Sequence, residues 1–118
     1  MSRISTGQNG EAIARKYLEK NGYRILAANW RSKNAELDLI ARKGREIVFV
    51  EVRAKSTDAF GTPAESVTRH KQRKLISAAQ SYLAENKIDG DWRIDFIGIQ
   101  FTGNTHQLEH IPYAVSLE

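Results

Sequence analysis

The chain has 118 residues, of which 41% are hydrophobic and 27% charged, and its formal net charge is +4. This length suits one ordinary domain and is short for two. The absence of cysteine excludes disulfide bonds and thiolate metal sites. The longest central apolar run, 47–50, is far below the ~20 residues of a membrane span. The N-terminal residues lack the apolar segment of a signal peptide. We therefore expect a cytoplasmic protein that does not bind membranes.

The hydrophobic pattern predicts a helix, three strands, a second helix and two strands, which is the element order of a mixed α/β sheet with helices on its faces. The second helix starts at Thr62, whose neighbours form a capping-box pattern, or at Thr68. Because Pro112 favours an edge position, the last strand is predicted at an edge of the sheet, with His106 and His110 on the surface. The predicted strands are 23–29, 35–42, 46–54, 92–101 and 106–115, and the second helix ends near 86.

One acid lies on the apolar side of the first predicted helix, which starts at Ser5 or Thr6 and ends near Asn21. Glu11 continues the apolar stripe of this helix, and an acid on an inward-facing stripe suggests a functional role. The alternative is a first-turn carboxylate that the helix dipole stabilises by under ~1 kcal/mol, and helix position alone favours it. The stripe itself consists of Ala14, Tyr17 and Leu18.

Acidic residues also interrupt a predicted hairpin in the middle of the chain. If 43–46 form its turn, Asp38 faces Glu51 on the neighbouring strand. In the same register Glu36 faces Arg53, with which it would form an ion pair. Two facing carboxylates repel each other unless a proton or a cation lies between them, and a divalent cation is the simplest solution. A register slip by one residue would instead separate the acids across the sheet.

Basic residues cluster in two places. Arg42 and Lys43 lie at the hairpin turn. The first turns of the second helix contain Arg69, Lys71, Arg73 and Lys74. Such clusters bind the phosphate backbone of nucleic acids, but they also occur as ordinary solvated surface, and both interpretations remain open at this point.

Four short motifs follow one another along the chain: Gly10-Glu11, ELDLI at 36–40, FVEVR at 49–53 and Lys71-Gln72. In combination and at these spacings they resemble the YraN family, small bacterial proteins that are similar to archaeal Holliday-junction resolvases. The resemblance extends over nearly the whole chain. It implies a single restriction-endonuclease-like domain over 1–118, with a mixed central sheet flanked by helices. It also implies hydrolysis of DNA with Mg²⁺ or Mn²⁺.

Endonucleases of this fold place an acid on one strand and an acid-x-lysine motif on the next, often with a glutamate from the first helix. The resemblance implies that Asp38 and Glu51 are metal ligands, with Glu11 as the helix glutamate. Arg53 stands where the lysine is expected. Arginine stays charged at every physiological pH, although it can stabilise charge that develops on a phosphate. Lys55 shares the strand face of Arg53 and could supply the missing amine.

The second helix would complete the site that the resemblance implies. Gln72 stands where relatives often place a polar residue near the metal. The four basic residues of this helix would hold the phosphate backbone, which makes binding salt-dependent. Junction resolvases of this fold are dimers, so the analogy also suggests a homodimer.

Three functions remain open on the sequence. The three candidate acids, Glu11, Asp38 and Glu51, favour a metal-dependent nuclease that acts on branched or otherwise structured DNA. Arg53 and the modest net charge favour a nucleic-acid-binding module with little activity. An adaptor whose acidic cluster binds a protein partner is the third reading, and it requires that nucleic-acid binding be absent.

Overall fold

The computed structural model describes residues 6–33, 35–56 and 67–117, with their side chains from residue 9 onward. Within these ranges the chain forms two helices and five strands. They are α1 (Thr6–Lys20), β1 (Arg24–Arg31), β2 (Glu36–Lys43), β3 (Glu46–Ser56), α2 (Arg69–Glu85), β4 (Trp92–Thr102) and β5 (Thr105–Ile111). Among the described residues, neither helix is long and apolar enough to cross a lipid bilayer.

All five strands form one mixed sheet in the order β1-β2-β3-β4-β5. Strands β3 and β4 pair in parallel and the other neighbours pair antiparallel, so α2 lies on the crossover that parallel strands require. Ile47 and Phe49 of β3 pack beside α2, whereas Val48 and Val50 pack beside α1. The helices therefore cover opposite faces of the sheet. This architecture confirms the predicted α/β fold and is consistent with a restriction-endonuclease-like domain.

The start of α2 decides between the two predicted alternatives. The helix begins at Arg69, and Thr68 is its N-cap residue. The Thr68 hydroxyl accepts a hydrogen bond of 3.2 Å from the Lys71 amide, which satisfies one of the free donors at the helix start. The alternative start at Thr62 lies in 57–66, outside the described residues.

The register of the β2–β3 hairpin agrees with the predicted one. The alignment is the one that places Asp38 beside Glu51, so the slipped alternative is excluded. The turn is shorter than predicted, and Gly44 in it has a φ of 61°, which glycine adopts without strain. The paired residues run from Leu39 and Val50 at one end to Lys43 and Glu46 at the other.

Helix α1 packs closely on β3 because a glycine faces the strand. Gly10 is buried, and a Cβ atom added to it would lie 2.8 Å from the Cβ of Ala54. This distance is shorter than side chains tolerate, so a larger residue would push α1 away from the sheet. Gly10 therefore sets the distance between α1 and β3, and with it the position of Glu11.

A buried polar network joins β4 to β5 and to the segment that follows. The Asp95 carboxylate accepts hydrogen bonds from Arg93 Nε at 2.9 Å and the Tyr113 amide at 3.1 Å, and it lies 2.7 Å from His110 Nε2. The Tyr17 hydroxyl contacts the other ring nitrogen of His110 at 2.9 Å. Burial alone raises the pKa of Asp95, but these bonds outweigh it and hold that pKa below its ordinary value.

This network was not predicted from the sequence, and Asp95 had no assigned role. The prediction of His110 as a surface residue was wrong, because the His110 side chain is only 10% exposed. Strand β5 is an edge strand, as predicted, but it ends at Ile111. Pro112 has no amide hydrogen to continue the ladder.

We expect Gly10→Ala to lower the free energy of unfolding by about 1–3 kcal/mol, because overpacking against Ala54 exceeds the gain in helix propensity. Urea denaturation measures the change. Ala54→Gly in the Gly10→Ala background removes the opposing methyl group and should restore part of the loss. If Gly10→Ala is as stable as the parent, close packing is not the reason for glycine at this position.

We expect Asp95→Asn to lower the free energy of unfolding by about 3 kcal/mol at pH 7, because Arg93 and His110 lose their shared carboxylate. Folding lowers the pKa of Asp95. Its stabilisation is therefore present above the unfolded value of about 3.9 and is lost as the pH falls through the folded value. Urea unfolding at pH 7 and pH 3 should show a smaller difference between parent and variant in acid. Asp91→Asn, at an exposed position, is the matched control, and an equal difference at both pH values would contradict the assignment.

Candidate functional site

The β2–β3 ladder ends where the acidic residues begin. Among the described residues, backbone pairing stops at Leu39 and Val50. Beyond that pair, Asp38 Oδ2 accepts a hydrogen bond of 2.8 Å from the Val52 amide, so a carboxylate replaces a ladder carbonyl. On the other side of β2, Asn29 of β1 has a φ of 52°, a left-handed conformation that non-glycine residues rarely adopt. Asp38 therefore lies at a local opening of the sheet.

Three carboxylates converge on this opening from α1 and β2. One oxygen from each of Glu11, Glu36 and Asp38 lies within 4.8 Å of the other two, and all three residues are partly buried. The amide nitrogen of Asn29, in the orientation that satisfies its neighbours, donates hydrogen bonds of 3.0 Å to Glu11 and to Glu36. Glu11 is the sixth residue of α1, so the first-turn dipole interaction does not explain its position. Its place among the other acids favours the functional interpretation.

Glu51 is a fourth acid, on the α2 side of Asp38, and it is only 4% exposed. Burial, and then the charge and hydrogen bond of Asp38, raise the pKa of Glu51 to about 8 against the opposing charges of Lys71 and Arg53. The predicted meeting of Asp38 and Glu51 is thus confirmed, and the raised pKa of Glu51 favours its protonated form near neutral pH. Burial, followed by the neighbouring acids, also raises the pKa of Glu11.

The predicted ion pair between Glu36 and Arg53 is wrong. Glu36 Oε2 instead accepts a hydrogen bond of 3.1 Å from Arg31 Nε, and Arg53 Nη2 lies 3.1 Å from Glu51 Oε2. Each of the two side chains therefore has another partner, and Glu36 lies beside Glu11. In the part of the chain that the structure describes, the buried Nε of Arg53 has no hydrogen-bond partner.

Lys71 brings an amine to the acids from α2. Its Nζ lies 3.8 Å from Glu51 Oε2, although Lys71 was predicted to contact the phosphate backbone and Lys55 to supply the amine. Lys55 is partly buried and lies two residues beyond Arg53 on β3. Gln72 lines a cavity together with Glu51, in agreement with its predicted position near the site. The Lys71-Gln72 motif was the sequence signal that could have identified this amine.

The two basic clusters lie in different parts of the molecule. Arg42 and Lys43 are at the far end of β2 from Asp38, about 13–17 Å along the strand. Lys43 Nζ lies 5.0 Å from the centre of the Tyr23 ring and donates to the Asn21 carbonyl. The structure therefore does not bring these two residues to the acids, and their contact with nucleic acid stays a prediction. The other three basic residues of the second cluster, on the same helix as Lys71, are all exposed: Arg69, Arg73 and Lys74.

We expect Glu51→Gln to change how stability depends on pH in buffer that contains EDTA. Folding raises the pKa of Glu51 to about 8. The stability that its protonated form contributes is therefore complete below the unfolded value near 4.5 and is lost as the pH rises through about 8. Urea unfolding from pH 5 to pH 8 should show a smaller loss in Glu51→Gln than in the parent. The exposed Glu85→Gln should keep the parent's profile, and identical profiles for all three proteins would contradict the assignment.

Comparison with known proteins places the chain in a family. The sequence model described as "Uncharacterised protein family UPF0102" matches residues 10–99. A UPF0102 protein of Geobacter metallireducens is 43% identical, with 96% of this chain and 93% of the relative aligned. UPF0102 proteins of Syntrophotalea carbinolica and Chlorobium chlorochromatii are 40% and 39% identical, with 98% and 99% of this chain and 95% of each relative aligned. The chain therefore belongs to the uncharacterised protein family UPF0102, which is the YraN family that its motifs resemble.

Proposed function

We propose that the protein is a metal-dependent endonuclease that hydrolyses phosphodiester bonds in branched or otherwise structured DNA. The observation that supports this most strongly is the position of Asp38. Its carboxylate lies at an opening of the sheet, between Glu11 and Glu36 on one side and Glu51 on the other. Acids gathered in this way are costly to keep charged together, and a divalent cation removes that cost.

The side chains at the opening suit Mg²⁺ or Mn²⁺. Glu11, Glu36 and Asp38 offer three carboxylate oxygens within 4.8 Å of one another, and hard divalent cations prefer oxygen ligands. Asn29 could add a fourth oxygen ligand. If its amide rotates by a half-turn, the amide oxygen takes the position beside Glu11 and Glu36 that the nitrogen otherwise occupies. Glu51 would join through its contact with Asp38, and ion binding would displace the proton that the raised pKa of Glu51 favours.

A divalent cation, when bound, polarises the phosphodiester and acidifies a coordinated water. The chain supplies the remaining functions. Arg53 and Lys71 lie 3.1 and 3.8 Å from Glu51, and in this proposal they would stabilise negative charge that develops on the phosphate. The exposed cations of α2 would hold the flanking backbone.

A DNA-binding module without cleavage activity is the second candidate. The contact between Arg53 and Glu51 favours it, because a guanidinium that neutralises the buried acid reduces the site's need for a cation. The two functions differ in a measurable way. A nuclease needs a cation for turnover, whereas a binding module holds DNA in EDTA and leaves it uncut when Mg²⁺ or Mn²⁺ is added.

We expect the parent protein to cut four-way or flapped DNA in Mg²⁺ or Mn²⁺ and to leave linear duplex largely intact. Asp38→Asn should lower the cleavage rate by more than about 100-fold, since residues that only support metal ligands already cost roughly 10–100-fold. Asp91→Asn, a matched change at an exposed position, should retain the parent rate. Gel assays on four-way, flapped, single-stranded and linear DNA measure these rates.

Isothermal titration with Mn²⁺ separates metal binding from catalysis. The parent should bind Mn²⁺, and Asp38→Asn should bind it at least about tenfold more weakly. The nuclease proposal is wrong if no DNA is cut, or if Asp38→Asn cuts as fast as the parent. Absence of Mn²⁺ binding at millimolar concentration would remove the explanation given for the converging acids.

A further inference from the structure

Two cavities of different character meet at the start of α2. The first, which we call the inner pocket, has a volume of about 120 Å³ and opens beside Glu51. The second, which we call the outer groove, has a volume of about 430 Å³ and runs along α2. Gln72 and Val115 line both cavities, so the inner pocket and the outer groove lie next to each other. A ligand with two dissimilar ends could therefore occupy them together.

The inner pocket is mainly apolar and is large enough for a ring-sized group. A single water needs roughly 10–15 Å³ of such space, so 120 Å³ far exceeds one solvent molecule. The Glu51 carboxyl and the Gln72 amide are its hydrogen-bonding side chains near the proposed metal site. The apolar walls come from Val67, Leu75, Ile94, Phe96, Ile111 and Val115.

The outer groove has the opposite character, because two arginines line it. Arg69 and Arg73 lie one helical turn apart on α2 and are both exposed. Guanidinium groups bind phosphate oxygens in a bidentate manner. Gln72 lies between these arginines in sequence and at the junction of the two cavities. The groove therefore suits the anionic part of a ligand whose apolar, hydrogen-bonding part enters the inner pocket.

We propose that this pair of cavities binds one unpaired nucleotide of a DNA strand, with its base in the inner pocket and its phosphate in the outer groove. A flat heterocycle with a polar edge fits apolar walls and a few hydrogen-bonding groups. A base within a duplex cannot enter such a pocket without leaving the stack, which costs free energy that an already unpaired base does not pay. The pocket would thereby select structured DNA, and in this respect the inference rests on the proposed nuclease function.

The experiment measures binding in EDTA, so that it does not depend on cleavage. Fluorescence anisotropy compares a DNA duplex that has a one-nucleotide bulge with the same duplex whose bulge has an abasic sugar, and with a fully paired duplex. We expect the parent to bind the base-containing bulge about fivefold or more tightly than the abasic one, which is the lower end of the effect of stacking one base on a protein. This comparison uses the unmodified protein, so it holds even if a variant fails to fold.

A variant then tests whether the preference for the base-containing bulge arises in the inner pocket. Ala114 lines the inner pocket, and Ala114→Leu should fill it, so that the base-containing and abasic bulges bind equally while affinity for paired duplex is unchanged. Ala84→Leu makes the same change at an exposed position of α2 and should keep the preference for the base. Thermal unfolding by circular dichroism confirms that both variants are folded.

Three results would overturn the inference: equal binding of both bulges by the parent, an unchanged preference in folded Ala114→Leu, or no binding of bulged DNA at all. A preference for the base together with no cleavage in Mg²⁺ or Mn²⁺ would support the pocket and reject the nuclease. Cleavage without any preference for the base would support the nuclease and reject the nucleotide pocket.

Discussion

The hydrogen bond from the Val52 amide to Asp38 is the interaction on which the candidate site depends. A carboxylate at this position satisfies a backbone donor that the ladder leaves open, so β2 and β3 separate without an unpaired buried amide. The separation makes Asp38 reachable from both faces of the sheet, by Glu11 from α1 and by Glu51 from the α2 side. The Asp38 side chain thus ends the β2–β3 ladder and also lies beside the other acids. A carboxylate has two oxygens, so it can accept the backbone hydrogen bond and still contact a neighbouring group.

Packing on each face then fixes how close the other groups come. On one face, Gly10 allows α1 to approach β3 closely, which moves Glu11 toward β2. On the other, the apolar side of α2 lies against β3 and directs Lys71 at Glu51. The raised pKa of Glu51 shows the cost of this convergence, because burial and a neighbouring carboxylate both oppose its charge.

The Asp95 network orders the strands next to the candidate site, since Asp95 pairs with Val50, the neighbour of Glu51. It joins Arg93 on β4 to His110 on β5, and it fixes Tyr113 through a backbone hydrogen bond. The segment after β5 forms one wall of the inner pocket through Ala114. A buried carboxylate that takes no part in the candidate chemistry therefore supports the cavity beside it. Arg93 and Asp95 lie two residues apart in a strand whose other buried residues are apolar or glycine, and this was the local signal for a buried charged pair.

The sequence by itself determined the element order and predicted the hairpin register that brings Asp38 to Glu51, and the structure then excluded the slipped register. Helix and strand periodicities are local, and a short turn leaves few registers open. Only the tertiary structure decided that Glu36 lies beside Glu11 instead of pairing with Arg53. Contacts such as those of Lys71 with Glu51 and Asp95 with His110 join separate elements, and they follow from how helices and strands pack rather than from any spacing along the chain.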